Sequence, residues 1–284
     1  MSYATSYTFQ PSSGDWNTPE HWDPTGVPGV GDTATIPDGK TCVIAAANQA
    51  CSQITIAAGG THGVVGKDLS MQTSGGLSSQ IKIHGTMYFD EASSVVPRLM
   101  LVSNTTIFAD SGSSGVVTAR ATDGYGPGII RPTSSSVTLT VGQGITMRGS
   151  LRFNATSTLE LTIDLDHSTA TIQTNHASDT LDIGEVADVG ERVILIGDGK
   201  LDCSAGSLRI GYAASGSQFS TTGRVLISGG TFQVSQYALF ANVNAKLELS
   251  GGVLDIDSPT SFIGDFVCAG GKLKVAPDVA FVAN

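Results

Sequence analysis

Two stretches decide the fold: Val225–Val234 reads VLISGGTFQV, and Leu247–Ile256 reads LELSGGVLDI. In each, apolar residues hold the first, third, eighth and tenth positions, with a Gly pair at the fifth and sixth. Residues two apart on a strand point to one face, so each stretch is two short strands, each with a buried face. The Gly pair between them marks a turn, because Gly accepts positive φ without steric cost. Leu201–Ile210 (LDCSAGSLRI) and Phe266–Val275 (FVCAGGKLKV) repeat the pattern, and the four copies start 24, 22 and 19 residues apart. A period near 20 residues, carrying short strands and tight turns, is the signature of a parallel β-solenoid.

Weaker copies run upstream. Ile54 and Ile56 precede Gly59-Gly60; Ile81 and Ile83 precede Gly85, Met87 and Phe89; Leu139 and Val141 precede Gly142, Ile145 and Met147. The alternation continues through Leu151, Phe153, Leu159, Leu161, Ile163 and Leu165 to Leu181 and Ile183. No amphipathic helical stretch of useful length separates the strands, which argues against a βαβ design, and the regular Leu and Asn frame of a leucine-rich repeat is missing. The expected fold is all-β: a single elongated β-helix over residues 41–284, preceded by an N-terminal arm and cap over 1–40. At about 22 residues per coil it would hold roughly eleven coils, and at about 4.8 Å per coil it would measure on the order of 50 Å. Residues 111–136 are rich in Gly, Pro and Ser, break the pattern, and are expected to form a loop insertion, a candidate contact surface.

Composition agrees. Of 284 residues only 14% are charged, while 35 Gly, 32 Ser and 30 Thr make up about a third of the chain. Stacked coils cover each inward Val, Ile or Leu with its equivalent one coil away, and flat outer faces suit Ser and Thr. So few charges exclude a coiled coil, and the abundant apolar residues exclude a disordered chain. A net charge of −10 with only 15 Lys and Arg makes nucleic acid a poor partner. No apolar run approaches the roughly 18 residues that cross a bilayer, so no membrane partner is expected.

The first ten residues, MSYATSYTFQ, have neither the basic region nor the apolar core of a secretory signal. Either a leader has been replaced by a start Met or that export route is not used. Four cysteines, Cys42, Cys51, Cys203 and Cys268, show no metal-ligand spacing and are expected to be buried free thiols, with a pairing of Cys42 and Cys51 left open. The repeat places Cys203 in a column running through Ile227 and Leu249 to Cys268, some three coils away and beyond disulfide reach. Free thiols favour assembly in a reducing compartment.

Gly14–Ile44 reads GDWNTPEHWDPTGVPGVGDTATIPDGKTCVI and holds both Trp residues of the chain, Trp16 and Trp22. Large aromatics would cover the open face of a first coil, and Pro24, Pro28 and Pro37 would discourage further strand pairing. The unit resembles the opening of the eight-glycine domain of secreted β-helix proteins, and of β-helical proteins in phage virion gene sets and bacterial surface proteins. The resemblance covers about 35 residues and implies a right-handed parallel β-helix concerned with surfaces, carbohydrates or assembly.

Polysaccharide hydrolases and lyases on this fold make an enzyme the reading to test. The hydrolase series of Asn-x-Asp, Asp-Asp, Gly-His-Gly and Arg-x-Lys is missing as a set. Asp164 and Asp166, followed by His167, would face outward if Ile163 and Leu165 face inward; two carboxylates about 7 Å apart could flank a glycosidic bond or hold a cation. Solvated outer-face positions explain them as well, and Asp255 and Asp257 are read as an outer-face residue and a turn former. The five His residues, 21, 62, 84, 167 and 176, are scattered, and Arg120, Arg131, Arg148 and Arg152 form the one mild basic concentration. No catalytic, cofactor-binding or metal-ligating residue is therefore assigned, and no cofactor is expected.

The expected function is that of a non-enzymatic structural virion protein, a capsid-decorating (cement) protein or fibre component. Its partners would be other copies of itself, by fold analogy a trimer, and capsid or other virion proteins, after assembly in the host cytoplasm. The apolar segment Val279–Val282 would need to be buried against one of them. The alternatives are an extracellular or cell-surface adhesin that binds glycans, and a polysaccharide-degrading enzyme.

Overall fold

Alternation of apolar and small polar residues produces short strands whose inward side chains are shielded only when another strand stacks on either side. A computed structural model describes residues 4–73, 78–93, 95–120, 128–154, 159–176, 179–183, 192–203, 205–210, 224–227, 230–234, 237–240, 246–256, 260–262, 265–277 and 281–283. Among them there is no α-helix, only a 3-10 turn at Pro19–His21. Apart from the antiparallel pair Ser6–Phe9 and Trp22–Asp23, the strands lie in long parallel sheets, and within each sheet neighbours are three strands apart in chain order. The chain therefore visits three sheets in rotation, an arrangement compatible with a β-solenoid.

The second sheet has 11 strands, one per winding, from Ser13–Asp15 to Lys272–Val275. The third has 10, from Gln49–Cys51 to Phe281–Ala283. The first sheet runs from Ser6–Phe9 to Arg192–Gly197, and a 3-stranded sheet, Arg224–Ile227, Lys246–Leu249 and Asp265–Cys268, packs beyond it. Inward residues form files: Ala34, Ile54, Ile81, Ile107 and Val141 are register partners in turn and all are buried. Corners are tight. A Cβ on Gly85 would lie 2.2 Å from the Gly60 carbonyl oxygen and 2.5 Å from that of Ala57.

The repeat is found, with one phase error. Val225, Leu247 and Phe266 stand in file as expected. Leu201 does not; it lies on the second sheet, opposite Phe232 and then Leu254. Each winding turns at three corners, and apolar pairs flank small residues at more than one of them. The copy at Leu201 therefore marks the corner between the second and third sheets, while the other three mark the corner before it. Consequently Cys203 is in file with Val234, Ile256 and Val275, not with Cys268.

All four cysteines are free. Cys42, Cys51 and Cys203 are buried; Cys268, expected to be buried, is exposed on the last winding. Cys42 and Cys51 do not pair, and they lie on different sheets. Residues 1–40 hold more than a cap, since Ser6–Phe9, Ser13–Asp15 and Thr33–Ile36 are strands of the windings. The segment 111–136, expected as a loop insertion, likewise contains two of the winding strands, Gly115–Arg120 and Gly128–Pro132, while 121–127 lies outside the described residues. Windings are longer and less even than 22 residues: successive second-sheet strands start 19 to 31 residues apart.

Candidate functional site

Of the outer-face sequence candidates, Asp164 and Asp166 act on one another electrostatically, while His167 and Asp255 have other partners. Asp164 projects outward between buried Ile163 and Leu165, while Asp166 lies past the strand end. Asp198 arrives from the next winding, its N–H donating to the Leu165 carbonyl at 2.8 Å. Partial burial, helped by Asp166 and Asp198, raises the Asp164 carboxyl above its ordinary range. His167 is turned to its own loop: its Nδ1 accepts from the Thr169 N–H at 3.1 Å and lies 2.8 Å from the Thr169 hydroxyl. Asp255 pairs with Lys274 at 3.0 Å, and Asp257 lies outside the described residues.

The arginine set is divided between sheets. Arg120 and Arg148 belong to second-sheet strands, Arg131 and Arg152 to third-sheet strands. Arg152 stands 3.2 Å from Asp182, whose side chain is 1% exposed. Elsewhere on that face Arg98 grips Asp68 with two bonds, 2.7 and 2.8 Å, which pushes the guanidinium pKa upward. His84 and Lys82 both lie beside Asp110, and the bond from Lys82 holds that carboxyl below its ordinary range. Among the described residues no group of three or more His, Cys, Asp and Glu gathers as a metal centre.

The densest chemistry lies at the capped end, inside. Trp22–Asp23 runs antiparallel to Ser6–Phe9 and closes the edge of the first sheet. Trp22, Trp16 and Phe9 are buried in edge-to-face contact, with ring centroids 4.8 Å apart for the two Trp and 5.2 Å for Phe9 and Trp22. Both indole N–H groups are satisfied, donating to the Trp16 and Pro28 carbonyls at 2.8 and 3.3 Å. This is the aromatic cover that the two Trp residues implied.

Under Trp16, at 5.3 Å between ring centroids, lies His62. It is fully buried and in file with Cys42 on one side and Met87 on the other, both also buried. Its Nδ1 is 3.2 Å from the Cys42 carbonyl oxygen, while its Nε2 is buried without a partner. Burial pushes the imidazole pKa down to about 4, against the opposing pull of the Cys42 carbonyl. Burial, reinforced by Asp15, also pushes the Cys42 thiol pKa upward. Sequence spacing missed this file because its members are 20 and 25 residues apart. The signal was the repeat itself: residues one winding apart are neighbours.

The opposite end is different. Leu273 and Val275 continue the buried file positions of Leu254 and Ile256, yet they are 37% and 38% exposed. Val267, on the adjoining strand, is 38% exposed. No family model, no curated protein and no solved structure matches the chain.

Proposed function

We propose that the chain is a non-enzymatic structural protein of a virion, a capsid-decorating or fibre protein, built as a right-handed parallel β-helix that works by assembly. The hand follows from a general rule: crossovers between parallel strands of one sheet are right-handed in about 98% of cases. One observation carries the assembly reading. Leu273 and Val275, which their register makes core residues, are more than a third exposed on the last strand of the second sheet. An apolar edge of this kind is a template for another chain. The occupant we assign is a second copy, meeting the same edge.

Sedimentation over a range of concentrations tests it. The wild type should self-associate, and the double variant Leu273→Glu, Val275→Glu should remain monomeric with an unchanged circular dichroism spectrum. A wild type that stays monomeric throughout would overturn the assignment of a second copy. The virion assignment is tested by the neighbouring genes, where a major capsid or portal gene is expected. A glycan-binding surface is the second reading, favoured by Tyr88 on the outer second sheet. Its ring covers Gly63 so closely that a Cβ there would lie 2.3 Å from Cζ. An aromatic face held against a flat sheet suits a sugar ring.

A further inference from the structure

We propose that Cys42, His62 and Met87 form an internal site for one soft monovalent cation, copper(I), beneath the Trp16 cap. This goes beyond the assembly reading and does not depend on it. The register places a thiol, an imidazole and a thioether on three consecutive strands of the second sheet, all pointing inward and all fully buried. Thiolate, imidazole and thioether are together the donor set that selects copper(I) over hard cations.

The histidine is set as a ligand. With Nδ1 held 3.2 Å from the Cys42 carbonyl oxygen, that nitrogen carries the hydrogen and donates it. The lone pair then resides on Nε2, which is buried and makes no hydrogen bond. A backbone carbonyl that fixes the tautomer and leaves the other nitrogen free is the usual support of a metal-bound imidazole. An orphaned buried nitrogen is otherwise a cost without a return.

The thiol is also uncommitted. Cys51 donates to the Asp32 or Gln53 carbonyl, at 3.2 and 3.1 Å, whereas the Cys42 thiol makes no hydrogen bond among the described residues. Adjacent strands are about 4.8 Å apart, roughly twice a metal–sulfur or metal–nitrogen bond of about 2.0–2.3 Å. His62 stands between the other two, so Cys42 and Met87, two strand spacings or about 9.6 Å apart, must both lean toward its winding to share one ion.

Charge decides the ion's valence. Binding is an exchange: the Cys42 S–H bond breaks, a Cu–S bond forms, and one proton leaves to solvent, with no change of oxidation state. Thiolate and copper(I) cancel, so the bound site is neutral among apolar neighbours. A divalent ion would leave a net positive charge there, which burial penalises heavily.

The test uses the purified full chain, anaerobically and with thiols reduced, competing with a chromophoric chelator for copper(I). One ion per chain should be withdrawn from the chelator, with one proton released. Cys42→Ala and His62→Leu should each weaken binding by about 100-fold, and Met87→Leu by about 10-fold. Cys51→Ser and Cys268→Ser should change nothing. X-ray absorption should show both sulfur and nitrogen around the copper. Loss of binding in Cys268→Ser, or binding unaffected in Met87→Leu and Cys42→Ala, would overturn the proposal. So would failure of the wild type to compete. Each variant's unfolding curve is recorded; if His62→Leu does not fold, Met87→Leu, which conserves side-chain volume, decides the outcome.

Discussion

Acid should loosen the capped end through one residue. His62 is fully buried, and burial holds its imidazole pKa near 4 against an ordinary value of 6.5. Between those two values the unfolded chain binds a proton that the folded chain refuses. Stability is therefore complete above about pH 6.5, falls as the pH drops toward 4, and stops falling below it. Two and a half pH units at about 1.4 kcal/mol each make the loss about 3–4 kcal/mol, a large share of a typical domain's stability. Trp16 and Trp22 report on this end directly, since the Trp16 ring lies 5.3 Å from His62 and 4.8 Å from Trp22. Urea unfolding followed by tryptophan fluorescence at pH 7, 6, 5 and 4 measures the slope. His62→Leu should abolish most of it, and other titrating groups cancel in the comparison. The variant should also match or exceed the wild type at pH 7, because it removes a buried nitrogen without a partner, worth about 1–3 kcal/mol. Parallel pH profiles for the two proteins would refute the reasoning.

Two further substitutions separate packing from charge. Gly85→Ala drives a Cβ to 2.2 Å from the Gly60 carbonyl oxygen and 2.5 Å from that of Ala57, backbone atoms that cannot rotate away. It should cost about 2–3 kcal/mol in chemical unfolding, and an unchanged midpoint would show the corner to be looser than described. On the third sheet, Asp182→Ala should cost about 2 kcal/mol, because the carboxylate is 1% exposed beside Arg152, whose removal from water it offsets. Asp68→Ala, which breaks the shorter but more exposed pair with Arg98, should cost less than about 1 kcal/mol. The reverse order would mean that bond length outweighs burial here.

The inward alternation was legible because most inward residues are apolar and are covered by apolar residues one winding away. Ile163 and Leu165 point in and Asp164 points out because no other arrangement lets water reach the carboxylate. The phase of the repeat was not legible. Leu201 and Val225 open the same pattern of apolar pairs around small residues, yet they belong to different sheets, because a turn between two apolar pairs serves more than one corner. Nor was the length of a winding. Lengthening an exposed corner adds little closure entropy per residue, so second-sheet strands start anywhere from 19 to 31 residues apart.

That irregularity is why the capped end yielded no site to inspection by spacing. Cys42, His62 and Met87 look isolated in the sequence, separated by 20 and 25 residues, and none completes a local metal motif. Pairing register makes them consecutive. Conversely Asp166 and His167, adjacent in sequence, are pulled apart in function, because the loop turns the imidazole to Thr169. In a chain wound this way chemical neighbourhood follows the file rather than the segment. A residue's partners must be sought one winding above and below it, and a lone buried His with one nitrogen tied to a carbonyl is where that search should begin.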